Sequence, residues 1–180
     1  MSLPIADLPL FAAGTAALLW FSRKSLRKYG SHGFYRFFAW EAILALCVLH
    51  RQETGSQIVS ESLLQLSLVL LALSYTALVL RGRASAERGD GSFYAWERTT
   101  TLITRGIYRL IRHPMYASLL ALNWGMFFRA MSPAGFVLAL LATYFLQRTA
   151  IADEQECLAY FGDDYRDYMK RTRRFIPFVY

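Results

Sequence analysis

Long apolar runs, separated by short polar and basic segments, are the main pattern along the chain. They cover residues 8–21, 34–50, 58–80, 115–128 and 133–146. A helix that crosses a bilayer needs about 20 apolar residues, or about 17 at the short end, and the five runs come close to that length. Proline stands where the fourth and fifth runs begin, which suits the first turn of a helix. The pattern predicts an all-α, polytopic membrane helical bundle with about five transmembrane helices.

The segment after the fifth run has a different periodicity. Between residues 151 and 169, Leu158, Phe161, Tyr165 and Tyr168 recur at spacings of three or four, with acidic residues between them. This periodicity predicts a C-terminal cytoplasmic amphipathic helix rather than a sixth span. Gly162 lies inside it and can break it.

Glu41 lies inside the second apolar run. A carboxylate at the centre of a bilayer costs about 2.5–3.5 kcal/mol on insertion scales. We therefore expect Glu41 to face the helix bundle or the membrane interface rather than lipid.

The positions of lysine and arginine predict the orientation. If the N-terminus lies outside, only Arg51 and Arg129 of the 20 basic residues fall on the outer side. Basic residues concentrate on the cytoplasmic side of membrane proteins. We expect an N-terminus outside and a C-terminus in the cytoplasm, in a bacterial inner membrane or its endoplasmic reticulum equivalent. The cytoplasmic segments are then 22–33, 81–114 and 147–180. The clearest loop is the polar stretch that follows Arg81 and ends at Gly91.

Composition agrees with a lipid-embedded chain. Of the 180 residues 55% are hydrophobic and 16% aromatic, and the mean hydropathy is +0.26. The net charge is +7, and the basic residues that produce it lie between the apolar runs. This distribution favours lipid headgroups over nucleic acid as the partner. Cys47 and Cys157 fall at different predicted depths and are not expected to pair. No ligand spacing typical of a metal site occurs, so no metal is predicted.

Two polar stretches carry the candidate chemistry, and both are predicted on the cytoplasmic side. The first, residues 99–116, places three arginines, a histidine and two tyrosines at or just before the start of the fourth helix. The second, residues 153–177, is rich in acidic and aromatic residues. Together they are expected to form a half-buried pocket beneath the headgroups. The alternative is that Arg109 and Arg112 bind lipid phosphates and His113 merely starts a helix. No Rossmann or P-loop motif occurs.

These stretches resemble a known family. The pattern is Gly106-x-Tyr108-x-x-x-Arg112-His113-Pro114-x-Tyr116, then Asp153-Glu154-x-x-x-Leu158-x-x-Phe161-Gly162-x-x-Tyr165-x-x-Tyr168 and Ile176-Pro177. It resembles the isoprenylcysteine carboxyl methyltransferase family and its phospholipid-methylating relatives, over roughly residues 96–178. The resemblance implies one membrane domain, 1–180, with N-terminal transmembrane helices and a loop in 1–92 and the cofactor-binding and catalytic half in 93–180.

The resemblance further implies S-adenosylmethionine as the cofactor, held without a Rossmann domain. The implied cofactor contacts are Thr100, Thr101, Leu102, Ile103, Tyr108, His113, Pro114, Met115, Tyr116, Asp153 and Glu154. The implied catalytic residues are His113, Arg148 and Glu154. Glu154 could bind ribose hydroxyls or the cofactor's ammonium, and His113 could bind its carboxylate or accept a proton from an amine. Aromatic rings suit the sulfonium through cation–π attraction.

One departure concerns the acceptor. The carboxyl-methylating members place an arginine four residues before the first acid; here that position is Thr149, and the nearest arginine is Arg148. A shift of one residue turns a helical side chain by about 100°. The acceptor is therefore expected to be lipidic or amphipathic, with prenyl-cysteine, a phospholipid amine and a small hydrophobic thiol or acid all open. The oligomeric state is not predicted.

Two other classes remain as alternatives. Membrane sterol reductases, which bind NADPH, share an Arg-His-Pro-x-Tyr element, but they place asparagine where this chain has Met115. A non-enzymatic, lipid-binding membrane protein could also keep the motif. Cofactor binding in detergent distinguishes the three classes.

Overall fold

The computed structural model describes residues 7–49, 54–81 and 100–177, and this part of the chain is all-helical. The helices are α1 (Leu8–Leu26), α2 (His32–Leu49), α3 (Gln57–Arg81), α4 (Pro114–Arg129), α5 (Pro133–Phe161) and α6 (Asp163–Arg171), with a 3₁₀ turn at Gly106–Arg109. The predicted all-α membrane bundle is confirmed. His50, Arg51, the predicted loop to Gly91 and the boundary between residues 92 and 93 lie outside the described residues.

Three of these helices are long and apolar enough to cross a membrane, namely α2, α3 and α5. Helices α1 and α4 form where the first and fourth runs predicted them. With 16 residues α4 is about 24 Å long, shorter than the hydrocarbon core of about 30 Å. The number of spans therefore stays a prediction.

The fifth predicted span and the first part of the amphipathic segment are one continuous helix. The prediction ended the span at Leu146, whereas α5 runs on to Phe161. Nothing between residues 147 and 151 stops a helix, because this stretch holds neither glycine nor proline. The helix breaks at Gly162, as expected, where φ is +59° and ψ is −127°. At 29 residues α5 measures about 44 Å, so its charged C-terminal part extends beyond the hydrocarbon.

Small residues set the close packing of the helices. The buried serines Ser60, Ser67 and Ser74 recur every seventh residue on α3, which packs mainly against α4. On α4, a Cβ at Gly125 would stand 3.1 Å from Leu64. Small side chains allow backbones to approach closely in membrane bundles, where van der Waals contact replaces the hydrophobic driving force. The outer face of α3 exposes leucines and valines, as a lipid-facing surface does.

Hydrogen bonds join polar side chains inside the bundle to a neighbouring helix. Thr15 on α1 donates a hydrogen bond of 3.0 Å to Glu41 on α2. The prediction that Glu41 faces the bundle is therefore confirmed. Buried Asn123 on α4 donates to the Ala139 carbonyl of α5 at 3.0 Å.

Candidate active site

A cavity of about 310 Å³ lies where α2, α3, α4, α5 and α6 approach one another. One side is apolar and is formed by Trp40, Leu71, Leu78 and Leu119. The other side carries ionisable and phenolic groups from both of the stretches singled out in the sequence. This volume and mixture are typical of a small-molecule site.

The cavity brings together most of the residues that the resemblance implied. Those on its wall are Thr101, Leu102, Ile103, Tyr108, His113, Pro114, Met115, Tyr116 and Asp153. Thr100, Glu154 and Arg148 do not line it. The two polar stretches therefore face one cavity. The three residues that do not line it were also implied by the resemblance.

Backbone pairing joins the two stretches. The amide of Arg112 donates to the Arg173 carbonyl at 2.7 Å, and the amide of His113 donates to the Arg174 carbonyl at 3.1 Å. In return the amide of Arg173 donates to the Leu110 carbonyl at 3.3 Å. These bonds form a short parallel bridge that holds the C-terminal segment against the start of α4.

Glu154 is the centre of a buried ion-pair network behind the cavity wall. It is 4% exposed. Its Oε1 accepts from Arg112 Nε at 3.0 Å, and its Oε2 accepts from Arg174 Nη2 at 2.7 Å. Arg112 also donates to the carbonyls of Met169 and Thr172, at 3.2 and 2.6 Å. Glu154 thus links α5, the start of α4 and the C-terminal segment.

The alternative that Arg112 binds lipid phosphates is wrong in this structure. Its side chain is 9% exposed, and its guanidinium is directed inward at Glu154. The second part of that alternative, that His113 starts a helix, is correct but incomplete. His113 is the N-cap of α4, and it also faces both acids of α5.

His113 lies between two carboxylates. Its Nδ1 is 3.5 Å from Asp153 Oδ2, and its Nε2 is 3.3 Å from Glu154 Oε1. Burial alone would lower the pKa of His113, but the hydrogen bonds with Asp153 and Glu154 outweigh it and raise the pKa. A protonated imidazole cannot accept a proton, so this geometry favours binding and positioning over general-base chemistry.

Tyrosines form the aromatic part of the wall. Gly162 starts α6 at an angle that places Tyr165 and Tyr168 on the cavity, with ring centroids 5.7 Å apart. The Tyr168 hydroxyl donates to the Tyr108 carbonyl at 2.7 Å and so ties α6 to the 3₁₀ turn. Burial raises the pKa of all three phenols, which remain neutral. Neutral aromatic faces attract cations.

Thr149 stands where carboxyl-methylating members of the family have an arginine, and Arg148 precedes it. Neither side chain lines the cavity. Thr149 is fully buried and donates to the Phe145 carbonyl of its own helix at 2.7 Å. Arg148 points to Tyr35, with Nη2 3.4 Å from the hydroxyl oxygen. This is the outcome that a rotation of about 100° per residue predicts.

Helix α2 contributes residues that the motifs do not contain. His32, Arg36 and Trp40 line the cavity, and Arg36 is 2% exposed. A charged residue in an apolar run is the one signal that could have indicated Arg36 in advance. The α2 and α3 wall residues are otherwise ordinary bundle residues by sequence.

Among the described residues, His32, Asp153 and Glu156 form a group whose ligand atoms lie within 4.8 Å of one another. Sequence spacing could not indicate it, because His32 is remote in the chain. Glu156 accepts from the His32 amide at 3.1 Å and lies 2.6 Å from its Nδ1. These distances are those of hydrogen bonds that join the start of α2 to α5.

Comparisons with known proteins identify the family of the chain. The family model described as phospholipid methyltransferase matches residues 57–163. The chain is 33% identical over 82 residues to protein-S-isoprenylcysteine O-methyltransferase of Mus musculus, and 32% identical over 88 residues to methanethiol S-methyltransferase of Pseudomonas deceptionensis. These alignments cover 45% and 49% of this chain but 29% of each relative. No solved structure matches. The chain is an integral membrane protein and belongs to the phospholipid methyltransferase family.

Proposed function

We propose that the protein is an S-adenosylmethionine-dependent methyltransferase that acts on a lipidic or amphipathic acceptor at the cytoplasmic membrane surface. The observation that carries the proposal is the convergence of both family stretches on one cavity with an aromatic, acidic and basic side. Relatives named for O- and S-methyl transfer support the reaction type.

The residues on the polar side fit this cofactor. When bound, S-adenosylmethionine would supply a methyl group on a positively charged sulfur. The faces of Tyr108, Tyr165 and Tyr168 offer cation–π attraction worth about 0.5–2 kcal/mol. Protonated His113 would hold Asp153 in place, and the Asp153 carboxylate would bind the cofactor's ammonium or a ribose hydroxyl. Glu154 would act through Arg112, Arg174 and His113, which it holds in place.

The apolar side fits an acceptor that arrives from the bilayer. Leu71 lines the cavity and is 42% exposed on the outer face of α3. Trp40 and Leu119 add further apolar surface to the cavity wall. An acceptor tail on these residues would place its head near the polar side, and methyl transfer then depends mainly on alignment in a water-poor site.

The proposed orientation places this cavity on the cytoplasmic side, with the N-terminus outside. Its support is the distribution of lysine and arginine between the apolar runs. Anionic lipid headgroups would then be the neighbours of the basic C-terminal segment.

A thiol-protection experiment tests the cofactor directly. Cys157 lines the cavity, whereas Cys47 lies on α2 away from it. In a Cys47→Ala background, we expect S-adenosylhomocysteine to slow labelling of Cys157 by a small methanethiosulfonate reagent in proportion to occupancy. NADPH is the matched control ligand. Protection by NADPH alone would indicate the reductase alternative, and protection by neither would leave only a non-enzymatic role.

A further inference from the structure

Arg36 is a cation that the family motifs do not include, and it lies on the wall of the candidate active site. It is 2% exposed, and its guanidinium carbon is 4.8 Å from the centroid of the Trp40 ring. An arginine remains protonated in a protein, and burial of its charge is costly. An ionisable residue buried in a membrane bundle usually has a functional role.

Arg36 lies about one turn from the start of its helix. Helix α2 begins at His32, and its first turn contains no acidic residue. The positive end of the helix dipole is met by Glu156 of α5, which accepts from the His32 amide at 3.1 Å, so the cationic character of this wall comes from Arg36 itself. His32 is already held by Glu156 of α5. The α2 side of the cavity thus favours an anionic group next to an apolar surface.

The acids near the cavity are poorly suited to remove a proton. Glu154 is paired with Arg112 and Arg174. Asp153 has one oxygen 3.5 Å from His113 Nδ1 and the other 3.7 Å from the Cys157 sulfur. A carboxylate beside a cation is a weak base. An acceptor that is already anionic needs no base, whereas an ammonium or a neutral thiol must first lose a proton.

We propose that Arg36 is the specificity-determining residue that binds the anionic methyl-accepting group of the acceptor, a carboxylate or a thiolate, and that phospholipid amines are poor acceptors. The inference rests on the proposed methyltransferase function. A lone pair of the anion forms the bond to the methyl carbon. The bond from that carbon to the sulfonium sulfur breaks, and its electron pair passes to sulfur. A neutral methyl ester or thioether and a neutral thioether cofactor product result. No proton moves in this step, because a carboxylate is already ionised and a thiol gives its proton to solvent before it binds as the thiolate.

This chemistry predicts where the effect of Arg36 appears. The acceptor loses negative charge as the new bond forms, so Arg36 stabilises the bound acceptor at least as strongly as the transition state. Its removal should therefore raise KM more than it lowers kcat. A guanidinium binds a carboxylate through two parallel hydrogen bonds, which lysine cannot reproduce.

The test compares three acceptors with labelled S-adenosylmethionine: N-acetyl-S-farnesylcysteine as the carboxylate, dodecanethiol as the thiol and phosphatidylethanolamine as the amine. The variants are Arg36→Lys and Arg36→Met. The matched control is Arg23→Met, because Arg23 also lies on a tryptophan ring, 4.0 Å from the Trp20 centroid, but is exposed and away from the cavity. We expect the wild type to methylate an anionic acceptor. Arg36→Met should raise the KM for that acceptor about tenfold or more, and Arg36→Lys should raise it less. Arg23→Met should leave this KM unchanged.

Protection of Cys157 by S-adenosylhomocysteine separates the two proposals. Protection retained in both Arg36 variants shows that the fold and the cofactor site are intact. If the wild-type chain is not protected, the proposed function fails. If the wild-type chain is protected but methylates neither anionic acceptor, only the role of Arg36 is overturned. The same conclusion follows if Arg36→Lys and Arg36→Met leave the KM for the anionic acceptor unchanged.

Discussion

Arg174 and Glu154 form a two-point ion pair in the interior of the protein. Nη2 of Arg174 lies 2.7 Å from Oε2 of Glu154, and Nε lies 3.1 Å from Oε1. Arg174 belongs to the C-terminal segment and Glu154 to α5, so the pair closes the polar side of the cavity from behind. Because Arg112 pairs with the same carboxylate, one acid holds two guanidinium groups, of which that of Arg112 is 9% exposed.

Replacement of Glu154 by alanine should therefore destabilise the protein strongly. Removal of one partner from a buried ion pair costs about 3–5 kcal/mol, because the remaining charges stay buried. We expect a lower Tm in detergent and weaker S-adenosylmethionine binding in calorimetry. Glu154→Gln keeps the shape and should recover part of the stability. Asp167→Asn is the control, because Asp167 pairs with Lys170 on the surface, with 55% of its side chain exposed. Equal Tm values for Glu154→Ala and the control would contradict this role.

The stability of the protein should decrease above neutral pH through His113. The pKa of His113 is raised in the folded state above its ordinary value of 6.5, because Asp153 and Glu154 favour the protonated ring over the effect of burial. The stabilisation is then complete below about pH 6.5 and is lost as the pH rises through the folded-state pKa. Tm measured between pH 6 and 9 should fall more steeply for the wild type than for His113→Asn. Parallel slopes would show that His113 does not carry the effect.

Alanine at position 162 should disturb the tyrosine wall. No atom lies within 4 Å of the site where a Cβ would be added, so the cost comes from the backbone, whose φ of +59° and ψ of −127° suit glycine alone. Such strain costs about 1–3 kcal/mol. Relief of the strain would reorient α6 and move Tyr165 and Tyr168, so we expect a lower Tm and a weaker cofactor affinity. Ala159→Ser, at an exposed position on α5, should change neither. Unaltered affinity in Gly162→Ala would mean that the orientation of α6 does not control the site.

The helical elements follow closely from the sequence, because their signals are local. Apolar runs, the prolines at the starts of α4 and α5 and the glycine after Phe161 each act within a few residues. Local periodicity does not predict the continuous α5, because the change from apolar to amphipathic periodicity marks a change of surroundings rather than an end of the helix. Periodicity reports which face is buried, and a helix can leave the membrane without ending.

The candidate site is predictable only in part. The motif residues from Tyr108 to Tyr116 and Asp153 were expected near one another and do line one cavity. Glu154 was expected at the cofactor, but the arginines that surround it draw it behind the wall. The position of Arg148 depends on the angle at which α5 presents each residue, and that angle is set by packing against α2.

The sequence by itself determined that this is a helical membrane protein and which two stretches carry the family's motifs, because hydropathy and motif spacing are properties of the chain alone. Only the tertiary structure decided that Arg36 and Trp40 of α2 share the cavity with these stretches, and that Glu154 supports the site from behind. Those relationships join residues far apart in the sequence. They arise from the packing of whole helices, whose relative rotation no local pattern records.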